Sequence, residues 1–452
     1  MSYTLINPAT EESMETIEHL DAKQTDEAIN KAVKAQEKWA ALAPADRAML
    51  LRRFATAVDS DIENLAQLEV RNSGHPIDQA HYEAKNVRDV LNYYAGAPER
   101  LIGRQIPVAG GIAVTFHEPI GVVGMITPWN YPMPIAGWGL APALAAGNAV
   151  VLKPAEWTPL TSMRLAELGL EAGLPENLFQ VLNGKGTVVG ERLVTNEKVG
   201  KIVFTGSTSV GKHIMRGAAD QIKRVTLELG GKSANIVFED ADVVKAATTA
   251  PYAVFENAGQ DCCARSRILV QKSVYEKFME ALEPVVKAVK VGDPSLSGTE
   301  VGPLVSKAHH ENVSSFLDGA DVAFRGSAPT GKGFWFAPTV VVAKSPSDKC
   351  MAEEIFGPVV TVYPFETEAE AIELANGTEY GLSGSIWTRD MGRGIRVSRA
   401  VQSGNLSVNS HSSLRYTTPF GGMKQSGMGR ELGPDAPLHF TEEKVVFFNS
   451  DS

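Results

Sequence analysis

Cysteine is scarce in this chain: there are three among 452 residues, and two of them, Cys262 and Cys263, are adjacent. Three thiols cannot build a disulfide framework, which fits a reducing compartment. An adjacent pair lacks metal-ligand spacing, so no metal is expected. Basic runs are missing too. No five consecutive residues are basic and the formal net charge is −10, which disfavours nucleic acid and anionic membrane as partners. No stretch reaches the about 18 apolar residues that span a bilayer. Residues 1–8 have no charged lead into an apolar run, so no secretory signal is visible. Internal repeats and low-complexity segments are absent. These absences predict a soluble cytoplasmic protein without nucleic-acid or membrane partners.

What is present is an ordinary globular composition, 44% hydrophobic and 21% charged, which argues against disorder. A chain of 452 residues exceeds one core, so two or three domains are expected. Residues 25–42, 47–70 and 80–101 carry helical apolar spacing. Residues 105–117 alternate around Gly110-Gly111 and predict a β-hairpin. Short apolar runs then alternate with helical patterns. Strands are expected at 121–126, 149–152, 179–182, 201–204 and 225–229, with helices at 137–145 and 159–169. A second such region begins near residue 230, with strands at 236–238, 267–270, 359–363, 383–387 and 405–408. Apolar strands alternating with helices imply parallel sheets covered on both faces, so the expected fold class is α/β. The final run, 440–449, contains Val445-Val446-Phe447-Phe448. It is too apolar to stay exposed and is expected to pair with another chain or domain.

No Gly-x-Gly-x-x-Gly follows a strand. A buried strand instead runs into Gly206-Ser207 and a helix start near Thr208. Gly206 lets backbone approach a phosphate, and a helix N-terminus favours negative charge; alone, the segment reads equally as a capped helix. A second helix start supports the ligand reading. In the segment from Val151 to Pro159, Thr158 is the expected N-cap and Pro159 the first helical residue. Lys153 and Glu156 then lie beyond a strand's carboxyl end, where doubly wound sheets bind ligands. A carboxylate there can accept both ribose hydroxyls and would repel a 2′-phosphate.

Cys262 ends the polar, glycine-containing segment Asn257-Ala-Gly-Gln-Asp-Cys262. Such a turn exposes backbone N–H groups and admits a small electrophile to the thiol, which becomes a nucleophile on losing its proton. Cys350 has no comparable surroundings. Glu228 is an acid at the end of an apolar strand before Gly230-Gly231, so it is either structurally paired or raised in pKa for base work.

Seven motifs in order make the chain resemble the NAD(P)-dependent aldehyde dehydrogenase superfamily over nearly its whole length. They are Pro128-Trp129-Asn130, Lys153 with Glu156, Phe204-Thr-Gly-Ser-Thr208, Leu227-Glu-Leu-Gly-Gly-Lys232, Gly259-Gln-Asp-Cys262, Glu353-Glu-Ile-Phe-Gly-Pro358, and Pro419-Phe-Gly-Gly422 through Gly429-Arg-Glu-Leu-Gly433. The resemblance implies a Rossmann-like cofactor domain (1–100 and 120–229), an α/β catalytic domain (230–432) and a β-hairpin oligomerisation arm (101–119 and 440–452). A homodimer or homotetramer follows from it.

The same resemblance implies roles. Cys262 adds to the aldehyde carbon, Asn130 and the Cys262 backbone N–H hold the oxyanion, and Glu228 activates water to hydrolyse the thioester. Glu431 matches an acid implicated in proton relay. For the cofactor, Lys153 and Glu156 hold the adenosine ribose, and Gly206, Ser207 and Trp129 lie near the pyrophosphate. Gly230 lies in the Gly-Gly turn, Glu354 holds the nicotinamide ribose, and Phe356 sits beside the ring. Glu156 favours NAD over NADP. By motif offsets the chain starts about thirty residues later than typical members, which predicts missing first strands in the cofactor domain. Gly139 stands where many members have a lysine supporting the relay, and Arg265 replaces a usual small residue.

Family position assigns Tyr131, Trp138, Glu256, Asp261, His411, Leu414, Arg415 and Phe420 to the aldehyde pocket. Tyr131, Trp138 and Phe420 resemble the aromatic walls of γ-aminobutyraldehyde and betaine-aldehyde dehydrogenases, and aromatic faces attract cations. Asp261 and Glu256 favour an ammonium further, whereas Arg415 and His411 are able to neutralise them or clamp a carboxylate. An ω-aminoaldehyde is the expected substrate, with a broad-range aliphatic or aromatic aldehyde, or a semialdehyde, as alternatives. A cofactor-free cysteine hydrolase needs a histidine base, and His213, His309 and His310 carry no such signature. An idle structural protein on the same fold has no need of Cys262, Glu228 and Asn130 together.

Overall fold

The computed structural model describes residues 2–412 and 414–450; the last two residues of the expected arm lie outside them. The fold is α/β, with two large sheets. The first has six strands in the order Gly427–Met428, Arg224–Glu228, Val199–Thr205, Val122–Ile126, Ala149–Lys153, Phe179–Val181. The pairs among the last five are parallel. Chain order therefore runs outward from Val122–Ile126 in one direction and then restarts beside it with Val199–Thr205. That reversal opens a crevice at the strands' carboxyl ends, where residues 127–131 and Gly206-Ser207 emerge. The short strand Gly427–Met428 pairs antiparallel to the sheet edge, with Gly427 opposite Glu228.

The second sheet has seven strands. Ala234–Val237 is flanked by Arg267–Gln271 and Ser383–Trp387, then by Val359–Phe365 and Thr339–Val342 on one side and Asn405–Val408 on the other. Val322–Arg325 closes one edge antiparallel. The inner strands are buried along nearly their whole length, as apolar runs with helices on both faces require.

The N-terminal region is mainly helical, as its spacing predicts, with a hairpin ahead of it, Ser2–Ile6 paired to Ser13–Glu18. Helix Ala22–Ala40 begins on a capping box: Asp21 Oδ1 accepts from Gln24 N at 2.8 Å and Gln24 Oε1 from Asp21 N at 2.9 Å. Its buried Trp39 donates to the Leu144 carbonyl at 2.8 Å, tying helix to helix. The stretch 47–70, expected as one helix, is two: Pro44–Ser60 and Ile62–Ser73. Asp61 breaks it with φ −110° and ψ 10°, and its carboxylate is held by Arg164 Nε at 2.9 Å from a third helix.

Thr158 is not the N-cap that the sequence suggests. Helix Leu160–Glu171 starts after Pro159, and the hydroxyl of Thr158 donates instead to the Trp129 carbonyl at 3.3 Å. Leu160 N–H is satisfied by Asn72 Oδ1 at 3.2 Å, a cap supplied from another helix.

The C-terminal strand forms one three-stranded sheet with the hairpin of its own chain. Thr441–Asn449 pairs along its whole length with the chain's own Gly111–Pro119, which forms the expected hairpin with Gln105–Val108. Pairing leaves apolar side chains outward: Val445, Phe447 and Phe448 are 62%, 53% and 54% exposed, beside exposed Ile112 and Phe116.

Candidate active site

Helix Val243–Phe255 ends in a left-handed run: Asn257, Ala258 and Gly259 have φ of 50°, 54° and 70°. Two non-glycine residues in that region cost of order 1–3 kcal/mol each, so the surroundings must hold them. They do so through buried amides. Asn257 Nδ2 donates to the Asn130 carbonyl at 2.7 Å, Asn130 Nδ2 to the Gln260 carbonyl at 2.9 Å, and Gln260 Nε2 to the Asn257 carbonyl at 3.0 Å. Gln260 Oε1 in turn accepts from Val305 N at 2.9 Å. Close packing admits only glycine at two neighbouring positions. A Cβ on Gly259 would lie 2.1 Å from the Gly357 carbonyl oxygen, and one on Gly231 2.3 Å from that of Cys262.

This turn delivers Cys262 to the wall of a cavity of about 500 Å³. Tyr131, Trp138, Glu256, Asp261, His411, Leu414 and Phe420 line it, as does Glu431. Trp138 meets Phe420 edge-on at 5.6 Å and donates to Asn86 Oδ1 at 2.9 Å. Arg415 does not belong to this lining: it is exposed and turns back to the Ser412 carbonyl. The cavity's arginine is Arg265, whose guanidinium is tied to the Cys263 carbonyl at 2.7 Å and the His411 carbonyl at 2.9 Å. Glu83, on helix Ile77–Ala95, is a further acid of the lining and is paired with His75 at 2.9 Å. Its signal in the sequence was only an acid on the helix's buried face.

The electrostatics are dominated by buried acids. The Cys262 thiol is pushed well up by hydrogen bonding with Cys263 and by burial, with Asp261 and Glu354 adding negative charge. Glu256 opens to the cavity but is walled by protein on its other sides; that enclosure, with Asp261 and Glu83, raises it to about 7. Glu228 is 1% exposed and neither carboxylate oxygen has a partner among the described residues. Burial pushes it well up, and Glu431 adds repulsion. Glu431 is likewise raised by burial, to about 7, and both its oxygens are orphaned. Gly139 supplies no side chain to this pair, and Met125 Cε fills the space beside it, 2.4 Å from where a Cβ would lie. Lys201 is the cation that acts on Glu431, and it also donates to Thr226 Oγ1 at 2.9 Å.

The remaining predicted residues gather at the switch-point crevice. Lys153 is buried and lowered by desolvation against the pull of Glu156; Glu156 is half-buried and accepts from Gly186 N at 3.3 Å. Helix Thr208–Ala219 starts on Ser207, whose hydroxyl accepts from Val210 N, with Gly206 just before it. Trp129 packs edge-on to Phe356 at 5.3 Å and to His309 at 5.1 Å. Phe356 adopts φ 59°. Glu354 accepts from Gly231 N at 2.7 Å and sits where a Cβ on Gly230 would lie 2.4 Å from its Oε2; burial raises it to about 7. These groups fit a dinucleotide: a helix start, a half-buried carboxylate beyond a strand end, and aromatic faces beside a second carboxylate.

The histidines bear on the hydrolase alternative. His213 pairs with Glu191 at 2.8 Å and His309 with the Phe356 carbonyl at 2.7 Å. His411 shares the cavity with Cys262, but burial and Arg265 lower it to about 4, which makes it a weak base.

Residues 1–446 match the family model described as the aldehyde dehydrogenase family. A betaine aldehyde dehydrogenase from Bacillus subtilis is 38% identical over 99% of this chain and 94% of its own length. A phenylacetaldehyde dehydrogenase from Pseudomonas fluorescens is 39% identical over 97% of this chain and 91% of its own length. A solved betaine aldehyde dehydrogenase from Staphylococcus aureus in complex with NAD+ superposes with a TM-score of 0.97 at 37% identity, covering 100% of this chain and 92% of that one. Relatives named for two chemically different aldehydes are thus similar to nearly the same degree, so overall identity does not select a substrate. Among the described residues, no helix is long and apolar enough to cross a membrane.

Proposed function

Because this chain belongs to the aldehyde dehydrogenase family, and is an oxidoreductase of that kind, we propose that it oxidises an ω-aminoaldehyde to the acid with NAD through Cys262. The observation that carries the reading is the placing of Cys262 on the cavity wall with Glu431, in a turn held by the Asn130 amide network. The thiol attacks the aldehyde carbon to give a thiohemiacetal, and its raised pKa means that a base must take the proton. Glu228 takes that proton and activates water against the thioester, in a site whose burial strengthens its hold on a proton. Asn130 Nδ2 and the Cys262 N–H hold the oxyanion, and Glu431 passes protons outward.

When bound, NAD supplies the hydride acceptor and a positive charge beside the sulfur. Lys153 and Glu156 hold its adenosine ribose. Gly206, Ser207 and Trp129 lie along the pyrophosphate, and Glu354, Gly230 and Phe356 shape the nicotinamide end. A carboxylate at Glu156 favours NAD over the 2′-phosphorylated form. Residues 1–100 and 120–229 form the NAD-binding domain and 230–432 the catalytic domain. The exposed apolar arm, 101–119 with the C-terminal strand, joins copies into a dimer or tetramer. Three free cysteines suit the cytoplasm.

The cationic substrate is supported by Glu256 and Asp261 at one cavity, whose arginine among the described residues, Arg265, donates to the carbonyls of Cys263 and His411 and to the hydroxyl of Ser385. The aromatic walls also support a broad-range aliphatic or aromatic aldehyde as the second reading. The test is kcat/KM with NAD for cationic, neutral and anionic aldehydes of matched length. Cationic preference is expected; equal values overturn the aminoaldehyde reading, and absence of NADH with every aldehyde overturns the whole.

A further inference from the structure

A second cavity, of about 400 Å³, adjoins the one that holds Cys262, and the mechanism above does not use it. Gln79, Tyr252 and Glu256 line both. None of the three is buried, and Tyr252 is 62% exposed, so the two spaces meet at a rim of accessible side chains rather than at packed core. A chain that leaves the first cavity over this rim enters the second. Pro251, Phe255, Val285 and Val289 give the second cavity an apolar side, built from helices Val243–Phe255 and Tyr275–Ala288 and the residue that follows. Loop residues 298–301 form another side. They are pinned to the start of helix Ile77–Ala95, where Asp78 Oδ2 accepts from Gly298 N at 2.9 Å and from Ser297 Oγ at 3.0 Å. Three acids line this space, Asp78, Glu256 and Glu300, and among the described residues no lysine, arginine or histidine does. Glu300 accepts only a neutral donor, Lys290 N at 2.9 Å. His81, one turn along from Asp78, is held by Glu63 at 2.7 Å.

We propose that this second cavity is a distal substrate subsite, which receives the far end of an elongated aldehyde carrying a second ammonium group. The proposal deepens the aminoaldehyde reading above and rests on it for the aldehyde end. Continuity with the Cys262 cavity, and not the acids alone, points to a ligand: concave, largely apolar space that opens onto a reacting group is where a substrate's remote part is held. An aldehyde with one amine close to its carbonyl ends at Glu256 and leaves the second cavity unfilled. A longer chain lays its methylenes against Phe255, Val285 and Val289 and brings its inner ammonium to Glu256 and the face of Tyr252 on the rim. Its terminal ammonium then stands between Asp78 and Glu300, whose charges are met only by neutral N–H and O–H donors. A chain ending in a carboxylate meets three acids there and is rejected by like charge.

The test compares kcat/KM with NAD for two long aldehydes of equal length. Both have a secondary amine within the chain; one ends in a primary amine and the other in a hydroxyl. Their ratio reports the far end alone. The wild type is expected to favour the amine-ended chain, and Glu300→Gln to cut that ratio roughly threefold, the scale of a half-exposed charge pair. A short one-amine aldehyde should stay within about twofold in the same variant, since Glu300 is remote from the reacting carbon. Ala288→Phe provides a steric arm that needs no change of charge. Ala288 is an exposed residue at a helix end, so a larger side chain there fills the second cavity without entering the core. It should lower kcat/KM for both long aldehydes and spare the short one. Equal wild-type values for the two long aldehydes overturn the proposal, as does a ratio unchanged by Glu300→Gln or an Ala288→Phe variant that handles long chains as well as wild type does. The parent reading fails separately: it falls if short cationic and neutral aldehydes are turned over equally, whatever the far-end ratio.

Discussion

Glu431 offers a quantitative test, because its environment and its proposed role pull in opposite directions. The residue is 5% exposed, both carboxylate oxygens lack partners among the described residues, and burial raises it from 4.5 to about 7. Ionising it in the folded protein therefore costs about 3 kcal/mol more than in the unfolded chain, at 1.36 kcal/mol per pH unit. The sign follows from the proton count. Below pH 4.5 both states hold the proton and there is no penalty. Between 4.5 and about 7 the unfolded chain gives it up first, so folding stability falls; above about 7 the full penalty stands.

Glu431→Met removes the acid and leaves no new orphaned polar atom. Lys201, lowered to about 8 by burial, keeps its bonds to Thr226 Oγ1 and the His439 carbonyl. The variant should therefore be more stable than wild type by up to about 3 kcal/mol at pH 8.5, and by nearly nothing at pH 4.5. It should turn over more slowly at both. Urea unfolding at the two pH values, read by fluorescence under reducing conditions, measures the difference. Equal stabilities at pH 8.5, or a gain that shrinks as pH rises, would refute the reasoning. Loss of stability at every pH would show that the carboxyl makes a contact the structure does not reveal. A gain in stability with a loss in turnover is what a strained functional acid should give.

Further outcomes are expected. Cys262→Ala should abolish NADH formation while leaving NAD binding intact by calorimetry; surviving turnover would move the nucleophile to Cys263. Glu228→Gln should keep a pre-steady-state burst of NADH and slow the steady state by about 10²-fold or more, and an unchanged steady state would remove it as base. Glu156→Ala should narrow the ratio of kcat/KM for NAD over NADP, because the carboxylate that repels a 2′-phosphate is gone. In the arm, Val445→Asp with Phe447→Asp should shift sedimentation toward the monomer, since both side chains face outward; an unaltered mass would place the interface elsewhere.

The order of strands and helices was legible in residue spacing because it depends on local period. Apolar runs such as 149–152 and 383–387 read as buried parallel strands, and they are. The Cys262 turn was legible too, since a polar, glycine-bearing stretch between a helix and an apolar strand leaves a thiol few other places to go. Family motifs carried the candidate roles, and these stretches meet in space at the crevice and the cavity. Errors arose where a residue's partner is remote. Thr158 looked like a cap, but Asn72 from another helix does that work. Asp61 looked helical, but Arg164 holds it out of line. Arg415 looked like the pocket cation, whereas Arg265 reaches the cavity from the loop that carries Cys262.

Residue pattern by itself determined which segments must be strands, where the thiol turn lies and which acids interrupt apolar surroundings, because each of these follows from neighbours within a few positions. Only the tertiary structure decided which acids stand together and which arginine faces the cavity. Charge and proton affinity depend on what the fold brings within a few ångströms from distant parts of the chain, and no local period encodes that.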